Sequence, residues 1–347
     1  MFSEIVGNKQ AQEVLRRMLA QGRVPGAMIF AGPEGVGKKL YALELARVLN
    51  CDARHGDEAC GECPACKRIW RLSLSTADDQ EAAKQIIWSG HRDVGLIRPA
   101  ARFIVVDQVR ELERETNFRP HEGARRVFII DDADRLNESA SNALLKTLEE
   151  APPTTLLILI TARPSGLLAT IRSRCQIVRF APLPAAEVEE FLVSRYKRSG
   201  AEASLAARLA RGSIGRALEL NIDAYREQRE SMLGVIEALI AGGGGDRERL
   251  LRAAEELTDA KRKDEYEPRL DALQTLLRDV WLLTLRTPGA ELINEDARER
   301  LARLSAGVES RRAAAWISQI EELRQQLGVN INRRVATDAL FLSMAAA

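Results

Sequence analysis

The chain has no dominant charge: 51 lysines and arginines stand against 50 aspartates and glutamates, a net of +1. A protein that holds nucleic acid by bulk electrostatics carries more positive excess, so any DNA contact is expected to be local and modest. No apolar run approaches the roughly 20 residues that span a bilayer. The opening MFSEIVGNKQAQ has neither a basic n-region nor an apolar h-region. No signal peptide is therefore expected, and the chain reads as soluble and cytoplasmic, with no membrane partner. Aromatic residues make up only 5% and do not interleave with basic ones around the cysteines, which argues against a general zinc-bearing nucleic-acid binder. No internal repeat or long low-complexity tail is present.

What is there is a chain of 347 residues, 46% of them hydrophobic, enough for two or three domains with their own cores. Up to about residue 180, short apolar runs alternate with amphipathic stretches. Residues 27–30, 103–106, 127–130 and 156–160 read as buried strands. Residues 137–150 carry apolar positions at helical spacing between them. Doubly buried strands alternating with helices predict a parallel sheet in an α/β domain. After Ala181-Pro182-Leu183-Pro184 the strand signals vanish. Residues 185–220 predict a small helical unit, with helices over 188–198, 204–211 and from Ser213. From about 223 onward everything reads as helix, with breaks at 242–245, 287–289 and 328. The glycines at 242–245 read as a connection between helices. The stretch from Leu72 to Ser89 is obscure, with a helical look from Ala82 to Trp88.

Gly32-Pro33-Glu34-Gly35-Val36-Gly37-Lys38-Lys39 fits G-x-x-x-x-G-K between a strand and a helix expected over 40–49. Glycines let successive backbone N–H groups turn toward phosphate oxygens, and the helix N-terminus adds partial positive charge. Lys38 would reach the outer phosphates. Lys39 stands where a serine or threonine normally ligates Mg²⁺, and an ammonium repels that metal. A second half-motif ends the strand at 127–130: Asp131 could hold Mg²⁺ through water. Asp132 stands where a glutamate usually polarises the attacking water, one methylene too short, and an error of about 1 Å in reach costs on the order of a hundredfold in rate. The two imperfect parts point to weak ATP or ADP binding, doubtful Mg²⁺ and little turnover.

Four of the five cysteines, Cys51, Cys60, Cys63 and Cys66, fall within sixteen residues. Two C-x2-C knuckles present sulfurs from tight turns that suit Gly61 and Pro64, the donor set of tetrahedral Zn²⁺. With all four positions filled by protein, the metal would be a structural staple.

In that order along the chain, Phe2-Ser3-Glu4-Ile5-Val6-Gly7-Asn8, the phosphate loop and the cysteine insertion at 51–66 resemble bacterial clamp-loader subunits of the AAA+ class. So do Val106-Asp107-Gln108-Val109-Arg110-Glu111-Leu112 and Asn142-Ala143-Leu144-Leu145-Lys146-Thr147-Leu148-Glu149-Glu150-Ala151-Pro152. Most specific is Ser173-Arg174-Cys175. Motifs cover about residues 1–220; beyond them only a helical pattern ending in Asn330-Ile331-Asn332 is similar.

The resemblance implies an α/β AAA+ core at 1–180, a helical lid at 181–221 and a helical collar that oligomerises at 222–347. It implies a hetero-oligomeric ring of DNA polymerase III that loads a sliding clamp on primed DNA, with gamma/tau and delta subunits as partners and no homo-oligomer. Arg174 would be an arginine finger acting in trans on a neighbour's ATP. Val6 and Gly7 lie where the family's base-binding segment begins, and either Thr161 or Thr170 would be the sensor 1 residue. The motor subunits resemble a chain with a sensor arginine in G-S-x-R-D-A-L. Here Gly212-Ser213-Ile214-Gly215-Arg216-Ala217-Leu218 places Gly215 there and Arg216 one step along, about 100° round a helix. With Lys39 and Asp132, this favours an assisting subunit; the alternative is an ATP-hydrolysing gamma/tau-type motor.

Overall fold

The computed structural model describes residues 1–74, 85–241, 246–287, 289, 291–327 and 332–346. The expected breaks at 242–245, Pro288 and Gly328, the pair Asn330 and Ile331, and residues 75–84 of the obscure stretch lie outside them. The contacts divide the chain into two units, Met1–Arg198 with Ala210–Leu218, and Ser199–Leu209 with Glu219–Ala347.

The first unit is built on six strands among the described residues: β1 (Ala27–Ala31), β2 (Ile87–Trp88), β3 (Val94–Ile97), β4 (Arg126–Ile130), β5 (Thr155–Thr161) and β6 (Gln176–Arg179). Their order is β2-β3-β4-β5-β1-β6. All neighbours run parallel except β2, which pairs antiparallel with β3. The sheet is thus mostly parallel, as the sequence pattern suggested, with β2 as an antiparallel edge. Strands β1, β4 and β5 are buried along their whole length. Alternate residues feed opposite faces: Ile29, Phe128, Ile130, Leu157 and Leu159 share one cluster with Val109, Leu112, Ala140 and Leu144. Those four come from helices α4 (Val106–Thr116) and α5 (Glu138–Glu150); α1 (Lys9–Ala20), α2 (Lys38–Leu49) and α3 (Pro64–Trp70) precede them, and α6 (Ala169–Arg172) and α7 (Ala185–Tyr196) follow.

Two local expectations are corrected. Residues 103–106 are not a strand. Only Ile104 is buried, through an isolated bridge to Leu136. Phe103 and Val105 are exposed, and Val105 is the extended N-cap of α4, its N–H donating to the Gln108 side chain at 2.9 Å. The strand in that region is β3, short and interrupted by Gly95, where a Cβ would come within 2.6 Å of Ile86. Within the stretch of helical look, Ile87 and Trp88 form β2 instead.

Helices α8 (Gly200–Leu209) and α9 (Ile214–Glu219) fall largely in different units, α8 in the second and α9 mostly in the first. The second unit is otherwise α10 (Ile222–Ile240), α11 (Arg247–Leu257), α12 (Tyr266–Thr284), α13 (Arg298–Ser305), α14 (Ser310–Leu327) and α15 (Arg333–Ala346). Helix α12 packs against α10, α13 and α14, burying Leu270, Leu273, Leu276 and Val280. Buried Asp279 is satisfied by the backbone N–H groups of Ile293 (3.0 Å) and Asn294 (2.8 Å), as a buried carboxylate must be. Among the described residues no helix is long and apolar enough to cross a membrane.

Candidate functional site

Because β4, β5 and β1 are neighbours, their C-terminal ends bring three loops together: the phosphate loop after β1, Asp131 after β4 and Thr161 ending β5. The loop turns into α2 at Gly37, whose φ of 95° suits a residue without Cβ. Lys38 is buried, and its ammonium donates to the carbonyls of Gly32 (2.6 Å) and Pro33 (2.5 Å). Burial lowers its pKa against the pull of Asp131 and Glu34.

Lys39 opens the next position of α2. Burial lowers its pKa too, Asp131 opposes that, and Arg98 reinforces it. Asp131 mirrors this: burial raises its pKa, Lys39 is the leading opposing influence, and Asp132 adds to the rise. The residue in the metal-ligating position is therefore a cation that interacts with the carboxylate expected to share that metal.

Asp132 sits in the left-handed region at φ 50°, and its carboxylate lies 3.6 Å from Arg135. Sequence reasoning passed over Asp134, whose carboxylate accepts from Thr161 Oγ1 (2.7 Å) and Arg163 Nε (2.9 Å). Its only signal was a third acid in the strand-end run. Thr161 thus faces the acidic end of β4. Thr170 lies on α6, where its carbonyl accepts from Ser173 and Arg174.

Helix α9 meets the phosphate loop directly. The Gly215 N–H donates to Gly35 O at 3.0 Å. A Cβ on Gly215 would lie 3.1 Å from Gly35 Cα, and one on Gly35 would lie 2.1 Å from Ser213 Oγ. Any side chain at 215 must push loop and helix apart. Arg216 is exposed on that helix, its N–H bonded to Ser213 Oγ at 3.0 Å. Gly7 has φ 81° and accepts from Tyr41 Oη at 2.7 Å. With Val6, Phe191 and Arg195 it lines a cleft of about 450 Å³.

Arg174 lies between α6 and β6, away from this loop in sequence and on a different turn. Its guanidinium donates to Thr170 O at 3.0 Å and pairs with Glu149. Burial pushes the neighbouring Cys175 thiol up to about 12, so it is not a reactive thiolate.

The other four cysteines converge, their Sγ atoms all within 4.8 Å of one another. Cys51 to Cys63 and Cys60 to Cys66 are each 4.0 Å, close to the edge of about 3.8 Å of a tetrahedron with Zn–S bonds near 2.3 Å. Backbone N–H groups of Cys60, Cys63 and Cys66 donate to the sulfurs of Cys51, Cys60 and Cys63 at 3.3, 3.4 and 3.4 Å. Cys63 also caps α3, with Pro64 in its first turn. The Cys63 and Glu62 N–H groups bring the Cys60 thiol down to about 6, while burial pushes Cys66 up. The donor set fits a thiophilic divalent cation, and these four residues can hold one.

A mostly parallel sheet, a glycine-rich loop after β1 and a strand-end acid define a P-loop core. The chain belongs to the family described as DNA polymerase III, delta subunit, matched over residues 7–184, with that family's C-terminal domain matched over 228–343. Among curated relatives, the delta' subunit of Escherichia coli is 31% identical over 98% of this chain and 92% of its own. The delta' subunit of Bacillus subtilis is 27% identical over 96% and 95%. The tau subunit of B. subtilis is 35% identical, but over 50% of this chain and only 28% of its own length.

Proposed function

We propose that the chain is the assisting, delta-prime-type subunit of a cytoplasmic replicative clamp loader, hydrolysing little ATP itself. The observation that carries this reading is the placement of Lys39 in the first turn of α2, where a motor would carry a hydroxyl for Mg²⁺, with Asp131 following β4. An ammonium there repels a divalent cation, and phosphoryl transfer without it loses the charge that bridges β- and γ-oxygens. Asp132 turned toward Arg135, and α9 resting on Gly35, act in the same direction. Gly32, Gly35, Gly37 and Lys38 leave an anion-binding loop that would take ATP or ADP weakly, with Val6 and Gly7 beside the base and Thr161 rather than Thr170 as sensor 1.

In this reading the chain serves its neighbour. Arg174 leaves Glu149 in the assembled ring and places its guanidinium on the γ-phosphate of the adjoining gamma/tau subunit, a contribution of about 10³–10⁵ in rate at that site. The lid at 181–221 and collar at 222–347 would set its place beside gamma/tau and delta, and the assembled ring would act on sliding clamp and primed DNA. Zn²⁺ at Cys51, Cys60, Cys63 and Cys66 is structural. Titrating a fluorescent ATP analogue with and without Mg²⁺ tests the site: affinity that does not improve with Mg²⁺ supports the reading, and tight Mg²⁺-dependent binding with turnover contradicts it.

A further inference from the structure

Between Cys51 and Cys60 the loop carries Glu58, held in a small antiparallel bridge in which the backbones of His55 and Glu58 exchange hydrogen bonds at 3.0 and 3.1 Å. Its carboxylate does not point at the sulfurs. It accepts the backbone N–H groups of Phe2 (2.8 Å) and Ser3 (3.2 Å) and pairs with Arg16. The start of the chain is thereby fastened to the cysteine loop.

From there the connection runs to the phosphate loop. Phe2 is fully buried, its ring 6.0 Å from that of Tyr41, and Tyr41 Oη in turn holds the Gly7 carbonyl at 2.7 Å. The next residue, Asn8, adopts φ 50° and uses both ends of its side chain. Nδ2 donates to Val36 O of the phosphate loop at 3.3 Å, and Oδ1 accepts the Ala181 N–H at 2.7 Å. Residues 2–8 form a strap with one end on the cysteine loop and the other on the phosphate loop.

We propose that metal at the cysteine cluster governs the nucleotide cleft through this strap, with Glu58 as the positioning residue. Asp52, Ala53, Arg54, His55 and Gly56 are all exposed, and between Cys51 and Cys60 only Ala59 is a buried apolar residue, so little apolar burial holds the loop that carries Glu58. Cys51 and Cys60 flank that loop, and a structural metal there supplies order that the loop draws only slightly from a core. Losing it frees Glu58, and the strap's amides lose a charge-assisted acceptor. The link to nucleotide rests on the reading of residues 6–7 and 32–38 given above; the strap does not.

The test uses the full chain in three forms: metal-loaded, chelated, and Glu58→Ala, with metal content read by a chromogenic chelator. Hydrogen exchange is followed in peptides covering residues 1–15 and 31–40, and a fluorescent nucleotide is titrated into each form. Glu58 is not a ligand, so Glu58→Ala is expected to keep its metal yet, like chelation, to speed exchange in residues 2–8 about ten- to a hundredfold, since the Phe2 and Ser3 amides each lose a hydrogen bond to a charged group. Glu58→Gln, which keeps an acceptor, should fall between. Chelation that loosens only 51–66 and leaves 2–8 unchanged would overturn the proposal, as would loss of metal in Glu58→Ala. Should the strap loosen while no form binds nucleotide, the strap stands and the nucleotide reading fails.

Discussion

Residue 39 decides which cation stands beside Asp131. A hydroxyl there would help hold Mg²⁺, whereas Lys39 brings its own charge, which opposes the rise that burial causes in the Asp131 pKa. Lys39→Thr is accordingly expected to make nucleotide binding Mg²⁺-dependent, by tenfold or more if the metal restores about 1.4 kcal/mol; affinity indifferent to Mg²⁺ in the variant would show that Lys39 is not the obstacle. Gly215 is the second deciding residue. Its N–H reaches Gly35 O, and a Cβ there would lie 3.1 Å from Gly35 Cα. Gly215→Arg should force α9 from the loop and lower unfolding stability by about 1–3 kcal/mol in denaturant titrations. An unchanged midpoint would mean that the contact contributes nothing. The sequence carried the identity of both positions but not this packing: a glycine next to an arginine reads as a shifted sensor, and only the fold shows its Cα against the loop.

At the scale of elements, the strands buried on both faces were legible because β1, β4 and β5 are unbroken apolar runs. The outer strands were not. Strand β3 contains Gly95, β2 is two residues long, and β6 is exposed at three of its four positions, so none carries a clean period. Conversely, Phe103 to Val106 looked like a strand but serves to enter α4 with only Ile104 inside. What anchors that side of the sheet is polar and invisible to hydropathy. Buried Asp93, just before β3, accepts the N–H groups of His121 (2.7 Å), Glu122 (2.9 Å) and Gly123 (2.8 Å) from the loop leading to β4. Burial would raise its pKa, but these three donors and His91 outweigh it, and the folded value lies below the usual one. The stabilisation is therefore full above the unfolded pKa of about 4 and is lost as pH falls through the folded value. Asp93→Asn should cost about 2–3 kcal/mol near neutrality and flatten the acid limb of stability against pH. An identical acid limb in the variant would contradict this assignment.

For the whole molecule, the proposed reading divides the work among the altered phosphate loop, the cysteine cluster and Arg174: the first would be nearly silent, the second would hold the fold locally, and the third would act outward. The convergence of the four cysteines was readable from spacing alone, since C-x2-C knuckles leave few other geometries. Its tie to residues 2–8 was not, because Glu58 looks like any acid in a polar loop. Removing metal is expected to loosen 51–66 and the strap while leaving the α/β sheet intact, seen as unchanged far-ultraviolet circular dichroism; collapse of the whole unit would mean that the metal supports the core itself. The proposed outward role of Arg174 bears the central claim. The measurement that tests it most directly is ATP hydrolysis by the purified chain, alone and reconstituted with gamma/tau and delta subunits, clamp and primed DNA, using wild type and Arg174→Ala. The account predicts no appreciable turnover alone and a DNA-stimulated rate in the mixture that falls with Arg174→Ala in a folded protein. Robust turnover by the chain alone, or a mixture rate indifferent to Arg174, would contradict it.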